Sequence, residues 1–255
     1  MIIKPQSGNG EGLDLTTKPQ IWFSAKWSGW YVEIYDGVPY WEALFSESGT
    51  LTVAHGYTCD AWGIGGGGAG GNNGDTYPDS TGGGSGYTAM IENAAIPTGN
   101  TKITIGKGGD AITSGGNTFG APDVGADGGE TKFLTLTALG GGGGGDEPGA
   151  GGSNGGKSDR VTAGENGTPG DGKIMSKFWS VEHNTEYGAA GQPDSSDNAP
   201  GGGGFKNVGA PCSTSGRGYG GGGGGFLTSG AYAVGGYTLD WMGHDGCLII
   251  RIKAA

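Results

Sequence analysis

The sequence predicts a mainly β chain with polyglycine II helices and almost no α-helix. Segments of strand length alternate polar and apolar residues, as in 30–35 and 131–139. Runs of pure glycine follow several of these segments. The 7 Trp, 10 Tyr and 7 Phe argue against a disordered chain, because burial of aromatic side chains offsets the entropy lost on ordering. The expected architecture is a β-strand N-terminal module followed by a glycine-rich polyglycine II bundle or sandwich with long loops.

The glycine runs are the feature around which we expect the rest of the chain to pack. Polyglycine II helices have about three residues per turn, and without side chains they can lie in close mutual contact. The recurrence of the runs favours this packing over an array of disordered linkers, which is the alternative interpretation. In such a lattice Gly142→Val should be strongly destabilising, because a side chain has no room. The runs comprise Gly65, Gly66, Gly67, Gly68, Gly140, Gly141, Gly142, Gly143, Gly144, Gly145, Gly201, Gly202, Gly203, Gly204, Gly220, Gly221, Gly222, Gly223, Gly224 and Gly225.

The composition excludes several classes of protein. Glycine accounts for 64 of the 255 residues, but no Gly-X-Y period exists, so the chain is not a collagen. A formal net charge of −11 disfavours nucleic acid and anionic membranes as partners. The 3 cysteines form neither a metal-binding motif nor an even-numbered disulfide framework. No segment resembles a signal peptide or a membrane span, so we expect synthesis in a cytoplasm without export by that route and no membrane insertion.

The chain divides by composition into an attachment part, 1–47, and a glycine-rich domain, 48–255. After a polar arm over 1–20, the segments 30–35 and 38–41 are typical of strands joined by a tight Asp-Gly turn. The many tryptophans here indicate either a small β core or a surface that docks on another protein. The tryptophans assigned to docking are Trp22, Trp27, Trp30 and Trp41.

The remaining strands are expected at short apolar segments between glycine-rich stretches. These segments are 48–53, 59–64, 87–95, 102–105, 131–139 and 247–252. Residues 69–86 and 106–130 are interpreted as loops, because Gly, Asn, Asp and Ser dominate them. Bulky side chains return in 173–182, within an otherwise glycine-dominated stretch.

Six phrases of the sequence, in order, carry a family resemblance over roughly residues 46–252. They are SGTLTV (48–53), WGIGGGG (62–68), TKITIGKGG (101–109), GGNTFG (115–120), LTALGGGGGG (136–145) and GHDGCLIIR (243–251). Together they resemble the glycine-rich domain of bacteriophage and prophage tail proteins. In that family the last strand usually follows a glycine- and serine-rich sequence, and residues 241–245 depart from this pattern.

The resemblance extends in architecture to the distal tail-fibre adhesins of T-even-type phages. It implies a sandwich of polyglycine II helices that carries receptor-binding loops at its tip, with an N-terminal part that docks on another tail-fibre protein. The implied partner is a bacterial surface receptor, either a protein or a glycan, and the implied location is the virion. The resemblance also suits a trimer, or a protein attached to a trimeric fibre.

The predicted receptor contacts are bulky side chains within glycine-rich stretches of the sequence, because aromatic residues give a large contact area for little loss of side-chain entropy. The alternative is that Phe178 and Trp179 cap the glycine lattice or form a minor core. The assigned residues are Phe178, Trp179, His183, Tyr187, Tyr232, Tyr237, Asp240 and Trp241.

Catalytic, metal and cofactor motifs are weak throughout, so we expect no enzyme, no cofactor and no bound metal. Residues 151–158 match the phosphate-loop pattern but lack a hydrophobic strand before it and a helix after it. His55, His183 and His244 show no ligand spacing. Five carboxylates in predicted loops could coordinate calcium but complete no calcium-loop motif: Asp75, Asp79, Asp110, Asp123 and Asp127. The resemblance therefore implies a tail-fibre adhesin, and the alternative is a purely structural tail protein.

Overall fold

The structure is a computed structural model that describes residues 18–35, 37–72, 80–110, 124–144, 150–151 and 243–254. The described residues contain strands and no helix, which confirms the prediction of a mainly β chain. The same residues accordingly include no helix long and apolar enough to cross a membrane.

Twelve strands are present in the described residues. They are β1 (Ile21–Phe23), β2 (Tyr31–Tyr35), β3 (Val38–Phe45), β4 (Gly49–Val53), β5 (Tyr57–Ile64), β6 (Gly71–Asn72), β7 (Ser80–Thr81), β8 (Thr88–Ile96), β9 (Gly99–Thr104), β10 (Thr131–Phe133), β11 (Leu136–Ala138) and β12 (Cys247–Lys253). Sheet A has the order β1-β4-β9-β10-β11, and sheet B has the order β2-β3-β12-β5-β8. Strands β6 and β7 pair with each other in a short separate ladder.

Strand β12 lies in the middle of sheet B, between β3 and β5. Its sequence is an apolar run with three isoleucines, which suits a strand buried on both faces. Six of its seven residues are buried, as that position requires. The strand predicted at 247–252 is therefore confirmed.

One hydrophobic core joins the two sheets. Sheet A contributes residues such as Leu51, Ile103 and Phe133, and sheet B contributes Phe45 and Ile250 among others. All five side chains are essentially inaccessible to solvent. Strands β10 and β11 contact β5 across this core.

Strands from both sides of the predicted boundary at residue 47 share each sheet. β1 pairs with β4 in sheet A, and β3 pairs with β12 in sheet B. The first strands therefore complete the same core as the later ones.

The predicted single strand over 131–139 is wrong. The chain forms a hairpin instead, with β10 and β11 paired in antiparallel register from Thr131–Ala138 to Phe133–Leu136. Leu134 takes a positive φ of 51° at the turn, a conformation that non-glycine residues rarely adopt. The turn residues Leu134 and Thr135 are neither Gly, Pro, Asn nor Asp, so residue type could not reveal the turn.

The strand ends define two opposite ends of the β unit. At the glycine end, β5, β9 and β11 finish and β8, β10 and β12 begin. At the basal end lie the β2–β3 turn with Gly37 at φ 77°, the β8–β9 connection and the last residues of β12. Residues 18–20, which precede β1, also lie at the basal end, because Ile21 pairs with Val53.

Candidate functional site

Six strands continue at the glycine end into glycine-rich segments that run away from the sheets. We call the set the glycine bundle. Its segments are 65–70 after β5, 82–87 before β8, 106–110 after β9, 124–129 before β10, 139–144 after β11 and 243–246 before β12, with 150–151 beside them. Residues 82–86, 106–110 and 124–129 of these segments fall in stretches that the sequence interpretation assigned to loops.

Segment 65–70 donates backbone hydrogen bonds to three neighbouring segments in rotation. Residues three apart donate to the same neighbour, so the partner changes with a period of three. The bonds run from Gly65 N to Tyr87 O (3.0 Å), Gly66 N to Gly129 O (2.9 Å), Gly67 N to His244 O (2.9 Å), Gly68 N to Gly84 O (2.8 Å) and Ala69 N to Ala126 O (2.9 Å). This rotation is what a backbone with about three residues per turn produces.

Two further segments donate to the carbonyl groups of 65–70. Segment 139–144 uses residues three apart again, and segment 106–110 supplies one bond. The bonds run from Gly141 N to Gly66 O, Gly144 N to Ala69 O and Gly109 N to Gly67 O, each 2.8 Å long. Segment 65–70 is therefore hydrogen-bonded to the other five strand-linked segments and occupies the centre of the bundle.

Close backbone approach explains why these positions are glycine. A Cβ atom on Gly66 would overlap the carbonyl of Lys107, and one on Gly143 would overlap the carbonyl of Gly125. Neither glycine has a positive φ, so the requirement comes from space rather than from backbone conformation.

Gly142 is less crowded than its neighbours in the same run. A Cβ atom there would stand 3.1 Å from Ala150 O and 3.2 Å from Ala150 N, and its nearest other neighbour is 3.8 Å away. Small shifts would relieve these contacts. The structure thus places the most severe effect of substitution at Gly143, whereas the sequence interpretation chose Gly142.

Aspartate side chains accept hydrogen bonds from two further backbone amides of the bundle. Asp127 Oδ1 accepts a hydrogen bond from Gly143 N, and Asp245 Oδ1 accepts one from Gly108 N, both at 2.8 Å. Asp245 also pairs with Lys107 Nζ at 2.6 Å, and this bond raises the pKa of Lys107. Sequence reasoning missed these roles, although Asp127 and Asp245 both stand beside glycines.

Thr131 links the glycine bundle to the sheets. Its buried hydroxyl donates to Ile64 O at 2.7 Å and accepts from Gly106 N at 2.9 Å. It therefore joins the last residue of β5 to the first glycine after β9. Nothing in the local sequence distinguishes this threonine from the others in 131–139.

The end of the glycine bundle remote from the sheets forms a common tip. Hydrogen bonds from Ala69 N to Ala126 O and from Gly125 N to Gly144 O hold the ends of three segments at one level. The residues that flank 73–79, 111–123 and 145–149 belong to these segment ends or to the β6–β7 ladder that continues from them. Three connections of the chain therefore begin and end at the tip.

The predicted receptor contacts all fall within 152–242, outside the residues that the structure describes. Gly145 and the glycine runs 201–204 and 220–225 also lie outside the described residues. On either side of that stretch, Gly151 lies beside Ser85 and Gly243 donates to Gly109 O at 3.0 Å. Both flanking residues thus belong to the glycine bundle.

The four tryptophans assigned to docking occupy different environments. Trp30 and Trp41 are buried in the core, and Trp27 is partly buried, stacked on Phe45 with ring centroids 5.4 Å apart. Trp22 alone of the four is well exposed, at 60% of its surface. Three of the four therefore contribute to core packing, and Trp22 presents a ring to solvent.

A buried ion pair lies on the face of sheet B opposite the core. Arg251 donates to Glu42 Oε2 from Nε at 3.1 Å and from Nη2 at 2.9 Å, and Tyr31 donates to Glu42 Oε1 at 3.0 Å. Burial raises the pKa of Glu42 to about 7, and the Arg251 guanidinium opposes this shift.

The remaining chemically reactive residues make no recognisable catalytic or metal site in the described part of the chain. His55 Nε2 lies 2.9 Å from the Tyr57 hydroxyl at the surface, and burial lowers the pKa of His244. Cys59 and Cys247 are buried free thiols. Within the described residues no group of three or more His, Cys, Asp or Glu could hold a metal ion, and Asp127 instead bonds Gly143.

Comparison with known sequences identifies the family. The family described as glycine-rich domain matches residues 46–253, which include strands β4 to β12 and every segment of the glycine bundle. No curated protein matches the sequence. Because the match covers most of the chain, the protein belongs to the glycine-rich domain family.

Proposed function

We propose that the chain is a receptor-binding protein at the tip of a phage tail fibre, which recognises a bacterial surface receptor and catalyses no reaction. The observation that carries the proposal is the two-ended arrangement of the β unit. Three connections of the chain meet at the tip of the glycine bundle, and residues 18–20 enter at the opposite, basal end. One end can thus contact a receptor while the other is attached.

The proposed mechanism is the display of loops on a rigid support. Each bundle segment continues a strand of the two sheets and is hydrogen-bonded to its neighbours, so the positions where the loops begin are fixed. Binding loops on rigid scaffolds commonly work in this way, because little ordering entropy is lost on contact. The sequence resemblance to phage tail proteins supports a bacterial surface as the target.

We further propose that the glycine segments are polyglycine II helices packed as a lattice. The rotation of hydrogen-bond partners every three residues in 65–70 supports this, and so does the absence of room for Cβ atoms. NMR chemical shifts and scalar couplings can test it. Values of φ near about −75° and ψ near about +145° throughout 65–69 are expected, and averaged coil values there would contradict the proposal.

Attachment to the fibre is assigned to residues 1–47, of which residues 18–20 and the β2–β3 turn lie at the basal end. Ile34 of β2 exposes 59% of its surface close to the β2–β3 turn, where it could contact another tail protein. Deletion of 1–20 should prevent incorporation into virions without unfolding the core. A truncated protein that assembles normally but no longer binds cells would reverse the assignment of the two ends.

Adsorption of the purified chain to intact host cells tests the proposed function. Trp179→Ala, Tyr187→Ala and Tyr237→Ala should each weaken binding by about 1–3 kcal/mol and leave thermal unfolding nearly unchanged. Ile34→Ala, an exposed apolar residue at the basal end, is the control and should bind as the parent does. A folded triple variant with undiminished adsorption would exclude these contacts. A folded parent chain that binds no candidate host would favour the purely structural tail protein.

A further inference from the structure

The outer face of sheet A carries an exposed aromatic ring in an unusual setting. Within β1, Ile21 and Phe23 point into the core cluster, so Trp22 points the other way and exposes 60% of its surface. The neighbouring strands β4 and β9 present mainly threonine, asparagine and lysine on this face. A large apolar ring therefore stands among polar side chains on this face.

Cross-strand register places hydrogen-bonding groups in a row with this ring. Trp22 is the partner of Thr52, and Thr52 is the partner of Asn100. Two strand spacings separate Trp22 from Asn100, which is about 10 Å. Thr52 Oγ1 bonds Asn100 Oδ1 at 3.0 Å, which leaves the amide NH₂ group of Asn100 without a partner among the described residues.

An open depression of about 510 Å³ adjoins the row. It is lined by Ser48, Gly49, Thr50, Asn100, Lys102 and Ile103. Lys102 follows Asn100 by two residues, so the two share the outer face at about 7 Å separation along the strand. Both side chains are exposed to solvent.

The charge of this face differs from that of the whole protein. The chain has a formal net charge of −11, yet the five strands of sheet A contain two lysines and no Asp or Glu. Lys132 pairs with Glu130. In the described part of the chain no carboxylate pairs with Lys102, so its charge is available to an anionic ligand.

We propose that this face, formed by Trp22, Thr52, Asn100 and Lys102, binds a polysaccharide with carboxylate-bearing sugars. The indole ring would stack on the apolar face of a sugar, the threonine and asparagine would bond its hydroxyls, and the ammonium would pair with the carboxylate. A protein partner fits less well, because protein interfaces need an apolar centre and Trp22 is the one large apolar side chain on the outer face of β1, β4 and β9. The proposal does not depend on the tip of the glycine bundle or on a phage origin.

Affinity electrophoresis of the full chain can test the proposal, with polygalacturonate and hyaluronan as acidic probes and dextran as the neutral control. The parent protein should be retarded by an acidic probe, less so at high salt because the lysine contact is screened. Trp22→Ala and Lys102→Gln should each lower the affinity at least about fivefold. The matched controls, Ile34→Ala and Lys132→Gln, should leave it unchanged. Thermal unfolding should confirm that all four variants are folded.

Three results would overturn the proposal. The first is no retardation of the parent protein by either acidic probe. The second is retardation that Trp22→Ala does not change, which would indicate attraction to a polyanion only. The third is a normal affinity of Trp22→Ala together with its failure to join virions, which would make this face a protein contact. Loss of cell adsorption through Trp179→Ala, Tyr187→Ala or Tyr237→Ala alone would bear on the proposed receptor contacts and not on this face.

Discussion

Gly143→Ala and Gly142→Ala change neighbouring residues of one glycine run in the same chemical way, but the structure predicts different outcomes. A Cβ atom on Gly143 would overlap the carbonyl of Gly125, whereas one on Gly142 would only approach Ala150 at 3.1 Å. Both substitutions restrict the unfolded chain equally, which would stabilise the fold by about 0.4–1 kcal/mol if the methyl group fitted.

The cost at Gly143 can be estimated from the contacts that must move. Overpacking of a close-packed site costs about 1–3 kcal/mol. Displacement from Gly125 also strains two hydrogen bonds, from Gly143 N to Asp127 Oδ1 at 2.8 Å and from Gly125 N to Gly144 O at 2.7 Å. Each such bond contributes about 0.5–1.5 kcal/mol. After the gain from the unfolded state is subtracted, we expect a net loss of about 3 kcal/mol.

Differential scanning calorimetry of the two variants and the parent protein measures this difference. For a domain of this size about 1 kcal/mol corresponds to about 2–4 °C, so Gly143→Ala should lower Tm by about 6–12 °C. Gly142→Ala should stay within about 3 °C of the parent protein. Equal Tm values for the two variants would refute the close packing of segment 139–144 against 124–129.

Other perturbations test other parts of the fold. Burial raises the pKa of Glu42 from an ordinary 4.5 to about 7 in the fold. The stabilisation from its protonated form is therefore complete below pH 4.5 and is lost as the pH rises to about 7. Denaturant unfolding across this range should show that loss as a falling free energy of unfolding, and Glu42→Gln should remove this pH dependence. Burial raises the pKa of Cys59 to about 12 and also raises that of Cys247. In a Cys212→Ser variant both thiols should therefore react with a thiol reagent only after denaturant is added. Rapid labelling of the folded protein would contradict their burial. Leu134→Gly should raise the free energy of unfolding by about 1 kcal/mol, because it relieves a φ of 51° at a residue that is 37% exposed. A lower free energy of unfolding in chemical denaturation would show that the leucine side chain matters more than the turn conformation.

Sequence reasoning could predict most of the longer strands and the use of glycine, because both have direct local signals. The alternation in β2 and β4 and the apolar run of β12 mark strands, and a run such as 140–144 lacks side chains that could prevent close contact. The same reasoning could not find segments such as 124–129, where Ala126 and Asp127 interrupt the glycines. Their role depends on bonds to distant residues, such as that from Ala69 N to Ala126 O.

Whether each tryptophan serves the core or the surface could not be decided without the structure. A tryptophan on a strand serves the core or the surface according to which face it occupies, and a register shift of one residue exchanges the two. Trp41 and Trp22 both lie on strands, but one is 7% exposed and the other 60%. The outer face of sheet A became visible as a candidate site only when the register of β1, β4 and β9 was known.

Residue-resolved amide hydrogen exchange tests the central claim, that the glycine segments form an ordered, hydrogen-bonded bundle. The amides of Gly65, Gly66, Gly67 and Gly68 all donate to other segments, as do those of Gly141 and Gly144. Gly140 N donates to no acceptor among the described residues and serves as the internal control. The account predicts strong protection of the six bonded amides and fast exchange at Gly140. Exchange of all seven amides at random-coil rates would contradict it.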